Sequence, residues 1–316
     1  MKELVVVAIG GNSIIKDNAS QSIEHQAEAV KAVADTVLEM LASDYDIVLT
    51  HGNGPQVGLD LRRAEIAHER EGLPLTPLAN CVADTQGGIG YLIQQALNNR
   101  LARHGEKKAV TVVTQVEVDK NDPGFAHPTK PIGAFMTKEE AEKMAREKGW
   151  NVAEDAGRGW RQVVASPKPM AVVELTTIRA LADAGMVVIA CGGGGIPVIA
   201  VERHHLKGAA AVIDKDFASE LLAEQLNADM LIILTAVEKV AVNFNKPDQK
   251  WLDAMTPEEA RAYMAEGQFA PGSMLPKVEA AVKFAESKPG RAALITLLEK
   301  ARDGIDGKTG TLVSTQ

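Results

Sequence analysis

Cysteine is scarce in this sequence of 316 residues, which contains two, Cys81 and Cys191. Two cysteines cannot build a disulfide framework, so a small disulfide-stabilised secreted domain is excluded. The chain also has no C-x-x-C or H-E-x-x-H segment, and the adjacent His204 and His205 have no carboxylate or cysteine at a ligand-like spacing. We therefore expect no resident metal site, a solvated loop around the two histidines, and a reducing cytoplasm as the compartment.

Positive charge and long apolar runs are also lacking. Lysine and arginine total 34 against 42 acidic residues, which gives a formal net charge of −8. Nonspecific attraction to nucleic acid or to an anionic membrane is therefore not expected, and any cationic site must be built locally. The first apolar run, Leu4 to Ile9, has six residues, which is too short for a signal peptide core or a membrane span. We expect a soluble, unprocessed protein.

Two common phosphate-binding signatures are missing where the first predicted strand ends. The stretch "ELVVVAIGGNSII" breaks at Gly10, Gly11 and Asn12, but no G-x-x-x-x-G-K-[ST] follows, so a P-loop is excluded. The G-x-G-x-x-G spacing is missing as well, which disfavours a dehydrogenase. Paired glycines after a strand still indicate close approach of the backbone to a ligand, and an anionic ligand would need a cation from elsewhere in the chain.

What the sequence does contain is an alternation of apolar runs and helical patterns. Segments 22–43, 82–103 and 215–227 place apolar residues at steps of three and four, as amphipathic helices do. Runs of strand length lie at Leu4 to Ile9, Ile47 to Thr50, Ala109 to Thr114, Met186 to Cys191, Met230 to Thr235 and Ala292 to Leu297. This alternation predicts an α/β fold with helices on both faces of a mainly parallel sheet and with ligands at the carboxyl ends of the strands.

Residues 119–169 interrupt this alternation. The stretch "DKNDPGFAHPTKPIGAF" is rich in proline and glycine, and a capping box from Thr137 to Glu140 predicts the start of a short helix. A connection of this length without much regular structure often serves as a lid or a binding element. We therefore expect a small protruding subdomain.

Three glycine-rich loops follow predicted strands: "AIGGN" at 8–12, "THGNGPQ" at 50–56 and "CGGGGIP" at 191–197. Successive glycine N–H groups beside the start of a helix form a concave anion site. Because the carboxyl ends of parallel strands meet at one edge of a sheet, we expect the three loops to form one such site. A run of four glycines has a high cost in backbone entropy, which indicates that the close approach of the backbone is used.

Lys215 and Lys277 are candidates for the cations that this site needs. Lys215 lies between Asp214 and Asp216 at the predicted start of a helix, and Lys277 follows Pro276, a residue that suits the first helical position. A lysine at a helix N-terminus opposes the helix dipole, so a structural preference alone would place an acid there. A bound phosphate would reverse that penalty.

Eight short motifs occur in a fixed order along the chain: "GGN" (10–12), "THGNGPQVG" (50–58), "PTKPIG" (128–133), "GRGWR" (157–161), "GGGGIPV" (192–198), "VIDKD" (212–216), "NFNKP" (243–247) and "GSMLPKVEAA" (272–281). By these motifs the chain resembles the carbamate kinases of the amino-acid kinase family along nearly its whole length. The resemblance implies one domain over residues 1–316, a three-layer αβα sandwich on a mainly parallel sheet of about eight strands, and a protruding lid at 119–169. It also implies a homodimer and reversible, magnesium-dependent phosphoryl transfer between ATP and carbamate.

The resemblance further implies roles for individual residues. Lys215 and Lys277 would hold the transferring and nucleotide phosphates, Asp216 would orient both lysines, and Lys130 would close over the substrate from the lid. Gly11 and Asn12 would join these four as catalytic residues. The implied substrate-binding set is Gly10, Gly11, Asn12, Gly52, Asn53, Gly54 and Lys130. The implied nucleotide-binding set is Gly193, Gly194, Lys215, Thr235, Val237, Met274 and Lys277, with Mg²⁺ entering on ATP or ADP and with no metal site on the protein itself.

The chain departs from the family pattern at a few positions. Ala236 stands in place of the usual acid and Ala241 in place of a common tyrosine, both at positions that resemble the nucleotide pocket. Within the lid, Gln162 replaces a second arginine and Ala165 replaces a proline. Two alternatives to carbamate kinase stay open, and the departures at Ala236 and Ala241 motivate the second. One is a related acyl-phosphate kinase acting on another acid, and the other is a pseudokinase that binds ligands without turnover.

Overall fold

The computed structural model describes residues 2–10, 23–42, 45–103, 108–155, 157–203 and 205–315. Gly11, Asn12 and His204 lie outside the described residues. The strands are β1 (Leu4–Ile9), β2 (Asp46–His51), β3 (Ala109–Thr111), β4 (Gln115–Val118), β5 (Lys130–Met136), β6 (Val152–Glu154), β7 (Trp160–Val164), β8 (Pro169–Val172), β9 (Val187–Ile189), β10 (Ile196–Glu202), β11 (His205–Gly208), β12 (Met230–Thr235), β13 (Val240–Val242), β14 (Lys250–Leu252), β15 (Ala254–Met255), β16 (Ala292–Leu297) and β17 (Thr311–Ser314). The helices are α1 (Ile23–Leu41), α2 (Gln56–Glu71), α3 (Leu78–Leu101), α4 (Lys138–Lys148), α5 (Leu175–Asp183), α6 (Lys215–Gln225), α7 (Pro257–Ala265), α8 (Met274–Glu286) and α9 (Ala301–Ile305).

The central sheet has eight strands in the order β15-β17-β16-β12-β1-β2-β9-β3. From β16 to β3 every neighbouring pair is parallel, whereas β17 is antiparallel to β16. These parallel strands correspond to the six apolar runs of the sequence, and β1, β12 and β16 have the predicted bounds. The predicted parallel sheet is therefore confirmed. β3 and β9 end earlier than predicted, at Thr111 and Ile189.

Helices cover both faces of this sheet. Successive β1 side chains point to opposite faces, as the strand geometry requires. Val5, Val7 and Ile9 pack in a buried cluster with residues of α1 and α3. Val6 and Ala8 pack in a second cluster with residues of α5, α6 and α8. The three-layer αβα sandwich expected from the sequence is thus confirmed.

The edge strand β3 is covered by side chains of α3. The amide of Asn98 donates to the Ala109 carbonyl and accepts from the Ala109 N–H, at 3.1 Å and 2.7 Å. Gln94 Oε1 accepts from the Thr111 N–H at 2.6 Å. Backbone groups of an edge strand that would otherwise invite another strand are therefore satisfied within the chain.

Residues 119–168 connect β4 to β8, which are antiparallel neighbours in a second sheet. The strand order of this sheet is β11-β10-β4-β8. The segment contains a three-stranded sheet, β5-β7-β6, and helix α4. The Thr137–Glu140 capping box of α4 is present as predicted. The segment lies against α2, since a Cβ built on Gly58 of α2 would fall 2.1 Å from the Gly133 nitrogen of β5.

Three local predictions need correction. Helix α8 begins at Met274, so Pro276 is its third residue and not its first. Proline is tolerated there because the first four N–H groups of a helix have no acceptor within it. Helix α3 begins four residues before the predicted start, after Pro77. His205 is exposed but begins β11 instead of lying in a loop.

Within the described ranges, no helix combines the length and the apolar character needed to cross a membrane.

Candidate functional site

The carboxyl ends of β1, β2 and β9 lie side by side, which brings the described parts of the three glycine loops together. Ile9 pairs with His51, and Leu49 pairs with Ile189. The Gly52 N–H donates to the Ile9 carbonyl at 3.2 Å, so Gly52 lies next to the point where Gly10 leaves β1. Gly11 and Asn12, predicted to act beside Gly10, lie outside the described residues.

The tetraglycine loop forms a tight turn that contacts the second glycine loop. Gly193 and Gly194 have φ angles of 68° and 94°, a region that favours glycine. Asn53 Nδ2 donates to the Gly193 carbonyl at 3.0 Å. A Cβ on Gly193 would lie 2.0 Å from Asn53 Oδ1. Glycine is therefore required at this position, both for its backbone conformation and for its contact with Asn53. Gly54, with a φ of 55°, then leads through a proline into α2.

Two buried residues that the sequence analysis did not single out hold the tetraglycine loop in place. Gln86 of α3 donates to the carbonyls of Gly192 and Thr114, at 2.9 Å and 3.0 Å, and accepts from the Thr114 N–H at 2.9 Å. The Thr114 hydroxyl accepts from the Cys191 N–H at 3.0 Å. A glutamine on the buried side of a helix was the available signal, since a buried amide needs partners.

His51 closes the base of the site. Its Nδ1 donates to the Gly52 carbonyl at 3.0 Å, and its Nε2 has no hydrogen-bond partner among the described residues. Burial lowers the pKa of this imidazole to about 4. His51 is therefore neutral near pH 7. The ring packs on Gly192, where a Cβ would lie 2.5 Å from Nε2.

Lys215 and Lys277 share one carboxylate. Lys215 Nζ lies 2.5 Å from Asp216 Oδ1, and Lys277 Nζ lies 3.0 Å from Asp216 Oδ2. Burial disfavours ionisation of this carboxyl, but the two ammonium groups outweigh it and hold the pKa of Asp216 well below its usual range. Burial also acts against the charge of Lys277, yet Asp216 raises its pKa. Burial lowers the pKa of Lys215 in spite of Asp216.

Lys130 joins this cluster from β5, within residues 119–168. Its Nζ lies 2.5 Å from Asp214 Oδ2. The other oxygen of Asp214 caps α6 by accepting from the Asp216 N–H at 2.8 Å. Three lysines therefore converge on two carboxylates, which leaves a formal surplus of one positive charge. The N-terminus of α6 adds a partial positive charge, so the cluster is suited to an anion.

Two contacts join the cluster to the glycine loops. The Ser219 hydroxyl donates to the Lys215 carbonyl at 2.6 Å and lies 2.6 Å from the Thr50 hydroxyl at the end of β2. The Ile213 carbonyl lies against Gly194, where a Cβ would approach it to 2.3 Å. Glycine loops and lysines, far apart in the sequence, thus form one site at the carboxyl edge of the sheet.

The remaining residues predicted to bind the nucleotide lie near the carboxyl edge of the central sheet. Thr235 ends β12, the strand between β1 and β16, and half-buried Val237 follows it. Met274 begins α8, three residues before Lys277. Ala236 is exposed and Ala241 lies buried in β13. In the part of the chain that the structure describes, no group of three or more His, Cys, Asp or Glu side chains is placed to hold a metal ion.

Comparisons with known proteins agree with this arrangement. The model of the amino acid kinase family matches residues 3–296. The chain is 68% identical over 312 residues to the carbamate kinase-like protein YahI of Escherichia coli, with 98% of each chain covered. It is 51% identical over 311 residues to a carbamate kinase of Clostridium perfringens, covering 98% of this chain and 99% of the relative. The structure of carbamate kinase from Giardia lamblia bound to AMP-PNP matches with a TM-score of 0.87 and 41% identity, covering 99% of this chain and 98% of that chain. The chain therefore belongs to the amino acid kinase family, among the carbamate kinases and carbamate kinase-like proteins.

Proposed function

We propose that this protein is a carbamate kinase, which transfers a phosphoryl group reversibly between ATP and carbamate. In the direction of ATP synthesis, carbamoyl phosphate and ADP give ATP and carbamate, and carbamate decomposes to ammonia and CO₂. The observation that carries the proposal is the convergence of Lys130, Lys215 and Lys277 on Asp214 and Asp216 beside the glycine loops. The carbamate kinase of Clostridium perfringens, 51% identical to this chain, supports the choice of acceptor.

The site suits in-line transfer because it offers fixed positive charge instead of a covalent nucleophile. A carbamate oxygen forms a bond to the γ-phosphorus while the bond from that phosphorus to the β,γ-bridging oxygen breaks, and the electron pair leaves with ADP. Lys215 and Lys277, both held by Asp216, would neutralise the charge on the transferring group. N–H groups of Gly10 and Gly54, with the Asn53 side chain, would position the carbamoyl phosphate. Gly52, whose N–H donates to the Ile9 carbonyl, would hold the first two loops side by side around it.

Magnesium fits this site as part of the nucleotide substrate. The carboxylates of Asp214 and Asp216 are each paired with lysine ammonium groups and are not free to act as ligands. Mg²⁺ commonly keeps several waters and takes phosphate oxygens as ligands, so the nucleotide itself can carry the ion. We therefore expect the magnesium complex of ADP or ATP to be the species that binds.

The nucleotide is expected over Gly193, Gly194, Thr235, Val237 and Met274. AMP-PNP is bound by the carbamate kinase of Giardia lamblia, which supports an ATP site in this fold. Ala236 and Ala241 stand at the positions where this chain departs from the family. Calorimetry of ADP and GDP binding to the parent, Ala236→Asp and Ala241→Tyr proteins would show whether these departures alter affinity or base preference.

We further propose that residues 119–169 act as a lid over the substrate. Closure would exclude water and strengthen the charge interactions of the site. Backbone amides of this segment should exchange with deuterium faster than those of β1 and β12 in the free protein, and carbamoyl phosphate with magnesium ADP should slow them selectively. Equal protection with and without ligands would exclude the lid.

A homodimer and a cytoplasmic location complete the proposal. Tyr91 of α3 and Val113 beside β3 expose large apolar side chains on the edge of the molecule, and such side chains are common in subunit interfaces. Light scattering on the parent and on Tyr91→Lys would test the dimer and this surface. Both cysteines are free and buried, as in proteins of reducing compartments.

The deciding experiment follows ATP formation from carbamoyl phosphate and magnesium ADP, with acetyl phosphate as the competing donor. We expect turnover with carbamoyl phosphate and much slower turnover with acetyl phosphate. Faster turnover with acetyl phosphate would favour another acyl-phosphate kinase. Binding of both ligands without ATP formation would favour the pseudokinase.

A further inference from the structure

Two lysines of α8, Lys277 and Lys283, make ion pairs with carboxylates of α6, and the candidate site uses the first of these lysines. At the site, Asp216 of α6 pairs with Lys277 of α8 at 3.0 Å. One turn further along α6, Glu220 Oε2 lies 2.7 Å from Nζ of Lys283. Each pair connects a buried carboxylate of α6 to a lysine of α8.

Stability does not explain a carboxylate at Glu220. The residue is fully buried, and its Oε1 has no hydrogen-bond partner among the described residues. Lys283, by contrast, has 55% of its side chain exposed. A buried carboxylate with an unsatisfied oxygen destabilises a fold relative to an apolar side chain of similar volume. Methionine or leucine at this position would pack in the core without that cost.

We propose that Glu220 and Lys283 are positioning residues, whose ion pair sets the place of α8 against α6 and thereby keeps the Lys277 ammonium on Asp216. Buried apolar residues of α8, among them Val278, Ala281 and Val282, pack in the same cluster as residues of α6. Apolar contacts are not directional, so they leave a helix some freedom to slide or roll. Lys277 and Lys283 lie six residues apart, about 9 Å along the helix axis, and attachment at both points removes that freedom.

The ion pair between Glu220 and Lys283 should form and break near neutral pH. Burial raises the pKa of Glu220 to about 7, although Lys283 acts in the opposite direction. The neighbouring Glu224, whose Oε2 lies 3.9 Å from Nζ of Lys283, raises it further. As the pH rises through 7, the carboxylate forms and pairs with Lys283. Positioning of Lys277 should therefore improve over the same range.

Chemical labelling tests the positioning without any enzymatic assay. Limited acetylation with acetic anhydride, read by mass spectrometry, reports how accessible the Lys277 amine is. At about pH 8, labelling of Lys277 should be faster by at least about threefold in Glu220→Gln and in Lys283→Met than in the parent. Lys283 is half exposed, so Lys283→Met keeps the test valid if Glu220→Gln does not fold.

The matched control removes another ion pair of α8. Arg261 of α7 makes two hydrogen bonds to Glu286, at 2.9 Å and 2.7 Å, on the exposed side of α8. Arg261→Gln should leave Lys277 labelling unchanged. Equal labelling in the parent, Glu220→Gln and Lys283→Met would overturn the proposal, and so would equal acceleration in Arg261→Gln.

A kinetic readout rests on the proposed function and separates positioning from general destabilisation. The parent and Glu220→Gln should have similar kcat values at about pH 6, where the Glu220 carboxyl is protonated, and should differ by at least about threefold at about pH 8. A constant ratio across pH would contradict the positioning role. Absence of kinase activity in the parent would instead refute the proposed function, and the labelling result alone would then decide the role of the pair.

Discussion

The ammonium nitrogen of Lys130 lies 2.5 Å from a carboxylate oxygen of Asp214, so it joins the three-stranded sheet β5-β7-β6 to the start of helix α6. Asp214 also caps helix α6, directly before Lys215. A single side chain thus fixes the start of the helix that carries Lys215 and holds the cation that the protruding segment brings. The position of β5 is linked in this way to the position of Lys215.

Replacement of Lys130 should affect catalysis more than stability. We expect Lys130→Ala to raise the KM for carbamoyl phosphate and to lower kcat, because one of three converging cations is lost. The melting temperature should change little, since the Lys130 side chain is partly exposed and such ion pairs contribute about 0–1 kcal/mol. Lys138→Ala in the same segment is the control, because Lys138 is exposed and its ion-pair partner is Glu142 instead of Asp214. Identical kinetics for Lys130→Ala and the parent would refute the role of Lys130.

Replacement of Lys215 should act mainly on the transition state. We expect Lys215→Ala to lower kcat by about a hundredfold to a thousandfold, with a much smaller loss of ADP affinity. Steady-state kinetics and calorimetry with ADP measure the two effects separately. A variant that keeps more than about half of the parent rate would show that Lys215 does not act on the transferring group.

Asp216 should stabilise the fold above its pKa and lose this effect in acid. Its pKa in the folded protein is lowered, so its contribution is complete above the usual aspartate range and declines as the pH falls through the lower folded value. At neutral pH, Asp216→Asn leaves two buried ammonium groups without their shared carboxylate and should lower the free energy of unfolding by about 3–5 kcal/mol. Urea unfolding at several pH values should show this difference shrinking below about pH 4. A difference that does not change with pH would contradict this interpretation.

The close contact between the tetraglycine loop and Asn53 can be tested by adding one methyl group at Gly193. Gly193→Ala would place a Cβ 2.0 Å from Asn53 Oδ1, so we expect loss of most activity together with destabilisation. Gly185→Ala is a matched control, because Gly185 also has a positive φ, of 78°, but a Cβ there would meet nothing within 4 Å. The control should be destabilised by about 1 kcal/mol for its backbone conformation alone and should retain its activity. Equal activity losses would show that backbone conformation, and not the contact with Asn53, is what matters.

The contact between α2 and the protruding sheet can be tested in the same way. Gly58→Ala would place a Cβ 2.1 Å from the Gly133 nitrogen, so the protruding segment must shift and the KM for carbamoyl phosphate should rise. Gly87→Ala, also within a helix but open to solvent, should instead stabilise the protein by up to about 1 kcal/mol. Thermal unfolding and steady-state kinetics of the two variants give the comparison. Unchanged kinetics in Gly58→Ala would show that this contact does not position the segment.

Part of this structure follows from local sequence. The apolar runs that became β1, β12 and β16 have the predicted bounds, because buried parallel strands need continuous apolar residues whatever surrounds them. The Thr137–Glu140 capping box is also present, since its hydrogen bonds join residues three positions apart.

Other features required the folded chain. The residue types of the glycine loops and lysines were enough to predict an anion site. Only the fold shows that Asp214 forms an ion pair with Lys130, and that Asp216 forms ion pairs with both Lys215 and Lys277. The short strands of the second sheet were not predicted, because three or four residues carry too little periodicity.

Only the tertiary structure shows which partners the buried polar residues have. Gln86 meets Gly192 and Glu220 meets Lys283 across separations of 106 and 63 residues. A polar residue in an amphipathic helix is usually assigned to the solvent, and nothing in its near sequence identifies a partner so far away. Such partners are set by which elements the sheet order brings together, and most buried polar groups find a hydrogen-bond partner there.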